Sequence, residues 1–193
     1  MVRSCNPTPR ALIVTAPFPI IWLTGNSGAG KTTLAKFAQM HFRLDVQEER
    51  LLHHRMVVLD GDEMRASIST EESLTPEDRR RHNLRVARLA KVLQSQGFLV
   101  VVAVIAPFRE VRDEIDAICT PRWIYIERSG LGAPDRPYEP PLQPDAVICT
   151  DTGSVGEHVG EFIELIKLFV QDNHQGRAKN ENCNPKIIPC RIA

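Results

Sequence analysis

Between Ile20 and Val170, short apolar runs of strand length alternate with longer amphipathic stretches. Ile20–Thr24 is apolar and β-rich, a glycine-rich turn follows at once, and Thr32–Phe42 carries a helical pattern. Met56–Leu59 is a second short run. In Asn83–Gln96 the residues Leu84, Ala87, Leu89, Ala90 and Leu93 recur close to every 3.6 positions, and Gly97 stands where a helix C-cap belongs. Phe98–Ile105 is Val-rich and unbroken by polar residues, as in a strand buried on both faces of a parallel sheet. Trp123–Ile126 and Ala146–Cys149 supply two further strands, and Val155–Val170 a last helix. The alternation predicts an α/β domain: helices in two layers around a five-stranded parallel sheet. That domain spans residues 18–172. Residues 1–17, with three prolines, and the polar residues 173–193 read as flexible extensions.

The overall numbers narrow the setting. A chain of 193 residues suits one domain. Lys plus Arg and Asp plus Glu each total 24, so net charge points to neither nucleic acid nor an anionic membrane. Ala11–Leu23 is apolar, but Pro17 and Pro19 interrupt it and it is shorter than the roughly 20 residues that span a bilayer. The cysteines (Cys5, Cys119, Cys149, Cys183, Cys190) are odd in number and form no metal-type pair. A cytoplasmic protein is the expectation, and a homodimer is left open.

The densest chemistry lies between the first strand and the first helix. Gly25-Asn26-Ser27-Gly28-Ala29-Gly30-Lys31-Thr32 fits the phosphate-binding pattern G-x-x-x-x-G-K-[ST], and Thr33 extends it. Its glycines let the backbone turn successive N–H groups into one hollow, and the following helix adds its positive end. Lys31 supplies charge for the β- and γ-phosphates of ATP, and the Thr32 hydroxyl is suited to Mg²⁺. A strand before and a helix after predict a P-loop NTPase fold, with the loop leaving the central strand. Asp60 and Asp62 follow the second strand and should face the same crevice, since ligands sit beyond the carboxyl ends of parallel strands. Asp62 is assigned to the acceptor hydroxyl as its base and Asp60 to the metal shell; a turn and helix cap is the alternative for this pair. Arg65 and the run Arg79, Arg80, Arg81, His82 and Arg85 could grip an anionic acceptor or form a solvated basic face. His53, His54 and Lys91 receive no role.

In these landmarks the chain resembles the adenylylsulfate kinases, which use ATP to phosphorylate the ribose 3′-hydroxyl of adenosine 5′-phosphosulfate. The resemblance covers roughly Ile20 to Phe169. It rests on Leu23 to Thr33, Leu59-Asp60-Gly61-Asp62-Glu63-Met64-Arg65, Asp78-Arg79, Ile105-Ala106-Pro107-Phe108-Arg109 and Pro137-Tyr138-Glu139-Pro140-Pro141. It implies that Asp62 is the base-like carboxylate and that Arg65 and Arg79 hold the acceptor's anionic group. It also implies that the backbone of Ala106, Pro107 and Phe108 borders the acceptor nucleobase. Departures fall on the acceptor side: His82 stands for the family's substrate-contacting Asn, Leu84 for an Arg, and Leu74 and Leu131 for two aromatics that sandwich the base. Ala106 replaces a Ser. The lid segment is shortened, because Glu127-Arg128-Ser129 runs almost directly into Pro137; Arg122, Arg128 or Arg136 would have to replace its cations. The predicted function is therefore an ATP-dependent kinase of a small, anionic, hydroxyl-bearing acceptor, with adenosine 5′-phosphosulfate as best candidate and Mg²⁺ as cofactor. A different acceptor, or a nucleotide-binding regulator, are the alternatives. By fold analogy the adenine of ATP is expected near Asp151–Gly156.

Overall fold

A computed structural model describes residues 18–44, 55–132, 136–174 and 186–187. Strand β1 (Ile20–Thr24) leads into α1 (Lys31–Leu44), and β2 (Met56–Asp60) into the short α2 (Gly61–Ser67). Then come α3 (Pro76–Ser95), β3 (Leu99–Ala103), α4 (Arg109–Cys119), β4 (Arg122–Glu127), β5 (Ala146–Cys149), α5 (Val155–His174) and β6 (Lys186–Ile187). The sheet order is β2-β3-β1-β4-β5-β6, every pairing parallel, so β1 sits at the centre of the five longer strands.

Two cores explain the unbroken apolar strands. Alternate side chains point to opposite faces. Ile21 and Leu23 of β1, with Leu99 and Val101 of β3, pack under α1 and α5. Ile20, Trp22, Val100 and Val102 pack on the other face with Val86, Ala87 and Ala90 of α3 and Val111 and Ile115 of α4. Each central strand is thus covered twice, and polar alternation would have placed uncompensated groups in one core or the other.

The five expected strands and the three-layer arrangement are present. Four features differ from the sequence-based expectation. The two-residue β6 joins the β5 edge from within the stretch read as a flexible tail, and α5 runs to His174, past the boundary set at 172. α3 begins at Pro76 rather than Asn83, because Thr75 caps it by accepting from the Asp78 N–H and Pro76 suits a first turn. Its opening turns are charged, so apolar periodicity is silent there. α2 and α4 are short and polar on their outer faces and went unforeseen. Cys119 is buried, its thiol donating to the Ile115 carbonyl oxygen, and Cys149 is half-buried, its thiol directed at Asp151; Cys5, Cys183, Cys190, His53 and His54 lie outside the described residues. Among the described residues no helix is long and apolar enough to cross a membrane.

Candidate active site

A cleft of about 670 Å³ opens beyond the carboxyl ends of β1, β2 and β3. One end is the P-loop. Gly25 has φ +146, and a Cβ there would lie 2.3 Å from the Ile126 carbonyl oxygen, so only glycine fits against β4. Gly28 and Gly30 also have positive φ, at +84 and +101. Every predicted P-loop residue except Gly25 and Ala29 lines the cleft; Ala29 is in the core beneath it. Lys31 lies across the loop, its Nζ donating to the Gly25 and Asn26 carbonyl oxygens at 2.8 and 2.7 Å. Burial lowers its pKa to about 8, against the opposing pull of the Asp60 and Asp62 charges.

The Thr32 hydroxyl donates to Asp60 Oδ2 at 2.6 Å. Asp60 is only 3% exposed, and its other oxygen accepts from the Asp62 N–H at 3.1 Å and the Glu63 N–H at 3.5 Å, capping α2. The cap foreseen as an alternative and the position beside Thr32 are therefore one and the same. Together the two residues offer the hard oxygen donors that Mg²⁺ takes, with few protein groups needed when phosphates complete the shell. Asp62, two residues further on in the first turn of α2, is exposed and lines the cleft, and its carboxylate accepts no hydrogen bond from the described residues.

The basic run divides in two. Arg80 pairs with Glu114 at 2.6 Å, Arg81 with Asp78, and Arg85 with Glu71 and Glu72 at 2.9 and 2.8 Å; none of the three lines the cleft. Arg65 and Arg79 do. Among the described residues they bond to backbone carbonyls and to no carboxylate, Arg65 Nη1 to Ser73 at 3.2 Å and Arg79 Nε to Leu74 at 2.9 Å. Burial first and the Arg79 charge second hold the Arg65 guanidinium below its usual value. Neither arginine forms a salt bridge among the described residues, so two guanidinium groups face one hollow in a way that suits an anionic ligand.

His82 lines the cleft at 1% exposure with neither ring nitrogen hydrogen-bonded. Burial, then the Arg65 and Arg85 charges, lower its pKa to about 4. Asn83, not foreseen, sits beside it: Nδ2 donates to the Arg79 carbonyl at 2.8 Å, while the buried Oδ1 has no partner. Arg136 and Tyr138 also line the cleft, and the sequence flagged Tyr138 only through its motif.

Several acceptor-side expectations change. Pro107 reaches the cleft, but Ala106 is fully buried, and Phe108 packs against the α3–α4 core. Leu74 lines the cleft and is 63% exposed. Leu131 does not; it packs over Gly28 against the opposite core. Leu84 is a core residue. Arg122 cannot serve as a lid cation, because it pairs with Asp145 at 3.0 Å and covers the Phe169 ring. Arg128 Nη1 does reach the P-loop, 3.3 Å from the Gly28 carbonyl oxygen. Ala133–Asp135, within the shortened lid, lie outside the described residues. The Asp151–Gly156 loop joins β5 to α5 and is not among the cleft's lining residues.

Comparison with known proteins finds adenylyl-sulfate kinases. The adenylyl-sulfate kinase of Paraburkholderia xenovorans is 33% identical over 168 residues, covering 75% of this chain and 90% of that protein. A probable adenylyl-sulfate kinase of Aeropyrum pernix is 29% identical over 181 residues, covering 79% and 94%. Among solved structures, an APS kinase of Mycobacterium tuberculosis covers 78% of this chain and 98% of its own at 26% identity and a TM-score of 0.63. A hexameric APS kinase from Thiobacillus denitrificans shares the fold at 24% identity, with a TM-score of 0.60 over 86% of this chain and 31% of its own. Residues 18–129 match the family described as adenylylsulphate kinase, and they contain the P-loop, both aspartates and both unpaired arginines. On that match, over more than half of its length, the chain belongs to the adenylylsulphate kinase family.

Proposed function

We propose that the protein transfers the γ-phosphoryl group of Mg-ATP to a hydroxyl of a small anionic acceptor, with the 3′-hydroxyl of adenosine 5′-phosphosulfate as the acceptor its family supports. The observation that carries this reading is that one cleft gathers all the groups needed. Lys31 and the P-loop line it together with Arg65 and Arg79, which form no salt bridge among the described residues, and the Asp62 charge acts on both Lys31 and Arg65.

Each group has a defined task. The P-loop amides and Lys31 hold the β- and γ-phosphates, and the Lys31 cation meets the charge that develops as the γ-phosphoryl leaves. Thr32 and Asp60 would hold Mg²⁺, which neutralises phosphate charge when bound. Arg65 and Arg79 fix the acceptor's anionic group, turning its hydroxyl towards the donor. Asp62 takes the hydroxyl proton as the new O–P bond forms and the β–γ bridging bond breaks, releasing ADP. His82 and Asn83 offer uncharged hydrogen-bonding atoms in the acceptor half, which a bound acceptor would satisfy.

The position of Leu131 favours a second reading with the same chemistry. With Leu131 on the P-loop side and only Leu74 at the cleft, the acceptor half lacks the aromatic pair that would stack a base. An anionic hydroxyl compound without a nucleobase would suit that wall equally. Purified protein with Mg-ATP and adenosine 5′-phosphosulfate, scored for the 3′-phosphorylated product and blanked with Lys31→Ala, separates the two. Lys31-dependent product supports the named acceptor. Tight ATP binding without product removes it and leaves the second reading.

A further inference from the structure

The Pro137–Pro141 strap is unused by the reading above, yet it touches both halves of the cleft. The loop from β3 to α4 borders the cleft through Val104, Ile105 and Pro107. Its backbone is held carbonyl by carbonyl. Val104 O accepts from Trp22 Nε1 at 2.8 Å, Ile105 O from Thr24 Oγ1 at 2.5 Å, Ala106 O from Arg112 Nη1 at 2.9 Å, and Pro107 O from the Glu139 N–H at 2.9 Å. Within this run Ala106 has φ +46, a left-handed conformation that a non-glycine residue keeps only when its surroundings enforce it.

Two strap side chains complete the fixation. The Tyr138 hydroxyl lies 3.0 Å from Thr24 Oγ1. Thr24 has a single hydroxyl proton, which goes to Ile105 O, so the phenol is the donor at this contact. Burial raises the Tyr138 pKa to about 12, which keeps that proton in place. Its ring stacks on Tyr125 of β4, centroids 6.1 Å apart and planes 14° from parallel. Glu139 Oε2 accepts from the Arg109 N–H at 2.7 Å. It thereby caps α4, whose own N-cap residue Phe108 makes no side-chain bond. One short segment thus grips the residue before Gly25, the Ile105–Pro107 wall and the first turn of α4. Prolines 137, 140 and 141 limit its backbone freedom.

We propose that Tyr138 and Glu139 are positioning residues that hold the Ile105–Pro107 wall of the acceptor half in register with the P-loop, through the chain Tyr138–Thr24–Ile105 and the Glu139 bonds to Pro107 and Arg109. The proposal rests on the phosphoryl-transfer reading above. In-line transfer depends on the distance between two separately held substrates, and small misplacements cost rate more than affinity. Loosening the wall leaves the P-loop backbone as it is, so the loss falls on turnover and acceptor use, not on ATP binding.

The test compares wild type with Tyr138→Phe, Glu139→Ala and Glu139→Gln, after thermal melts show that each is folded. Adenosine 5′-phosphosulfate is the acceptor, and amide hydrogen exchange at Arg109 is read in parallel. Tyr138→Phe and Glu139→Ala are expected to lower kcat by roughly tenfold while KM for ATP moves by less than about twofold. Glu139→Gln keeps an accepting oxygen and is expected to restore most of the rate. Exchange at Arg109 is expected to speed up in Glu139→Ala only. Unchanged kcat in both Tyr138→Phe and Glu139→Ala would overturn the proposal, and so would a matching rise in KM for ATP, which would mark a general structural role. If the wild type proves inactive on this acceptor, the acceptor named above falls. The exchange arm then decides alone: faster exchange in Glu139→Ala supports the clamp, and equal rates overturn it.

Discussion

The donor end of the cleft is one uninterrupted stretch, Gly25 to Thr33, on a single strand–helix turn. The acceptor end is gathered from α2, α3, the β3–α4 loop and the strap around Tyr138. The donor end works through backbone amides and glycine conformations, so it tolerates little change: at Gly25 a single methyl would strike the Ile126 carbonyl. The acceptor end works through side chains on separate elements. His82 and Leu74 can differ from what the family resemblance implies while the sheet and the two cores remain intact. Donor chemistry is therefore tied to the fold itself, and acceptor choice is carried by replaceable side chains.

The sharpest way to break this division is Asp62→Asn. It removes the proton acceptor while leaving the Lys31 and Thr32 contacts alone, so kcat should fall by about 10²–10⁴ with ATP affinity retained. Quench-flow product formation beside an ATP titration checks both halves at once, and loss of ATP binding would show that Asp62 belongs to the donor end after all. Next in size, Arg65→Ala or Arg79→Ala removes a charge-assisted contact worth about 1.5–3 kcal/mol, equivalent to roughly a 10–100-fold rise in acceptor KM. KM for ATP should stay put. Arg80→Ala, whose charge is spent on Glu114, should leave acceptor KM within about twofold.

A smaller effect tests the donor end by pH. Burial lowers the Lys31 pKa to about 8, so it is cationic at neutral pH and neutralises as the pH rises through that value. Bound phosphates favour the cation. Above pH 8 the protein must therefore take up a proton to bind, and ATP affinity should weaken by up to about tenfold per pH unit. Calorimetric titrations between neutral pH and about pH 9 in buffers of different ionisation enthalpy would register that proton; none taken up would refute it.

The smallest effect concerns His82, whose pKa is lowered to about 4 from 6.5. Unfolded chains bind its proton more readily than the native state does. Its contribution to stability is therefore full above pH 6.5 and lost as the pH falls towards 4. His82→Asn should flatten that part of the denaturation midpoint against pH and shift acceptor KM several-fold, on the order of one lost or gained hydrogen bond. KM for ATP should not follow.

Much of this could be read from the amino-acid order, and the exceptions share a cause. β1, β3 and the P-loop are dictated locally, by runs such as Leu99–Ala103 and by the glycines at 25, 28 and 30. The sequence suggests Asp60 for a metal shell, but its burial and its bonds to Thr32, Asp62 and Glu63 require β2 and α1 to be set side by side. The Arg79–Arg85 run was ambiguous because helix spacing does not say which arginine will meet a carboxylate on α4 or in the α2–α3 connection. For Ala106, Pro107 and Phe108 the resemblance speaks of backbone; the turn at Ala106 buries that residue's methyl and sends the Phe108 ring towards the core, so of these three residues it is Pro107 that lines the cleft.

A parallel α/β domain and a phosphate cradle follow from the order of the amino acids, since strand burial and loop conformation depend on residues within a few positions of one another. Chain packing settles the rest: among the described residues Arg65 and Arg79 meet no carboxylate, His82 and Asn83 keep unsatisfied polar atoms at the cleft, Leu131 belongs to the P-loop side, and Tyr138 meets Thr24 across 114 residues of chain. Those outcomes depend on which side chains compete for the same partner in space, and no local pattern records that competition.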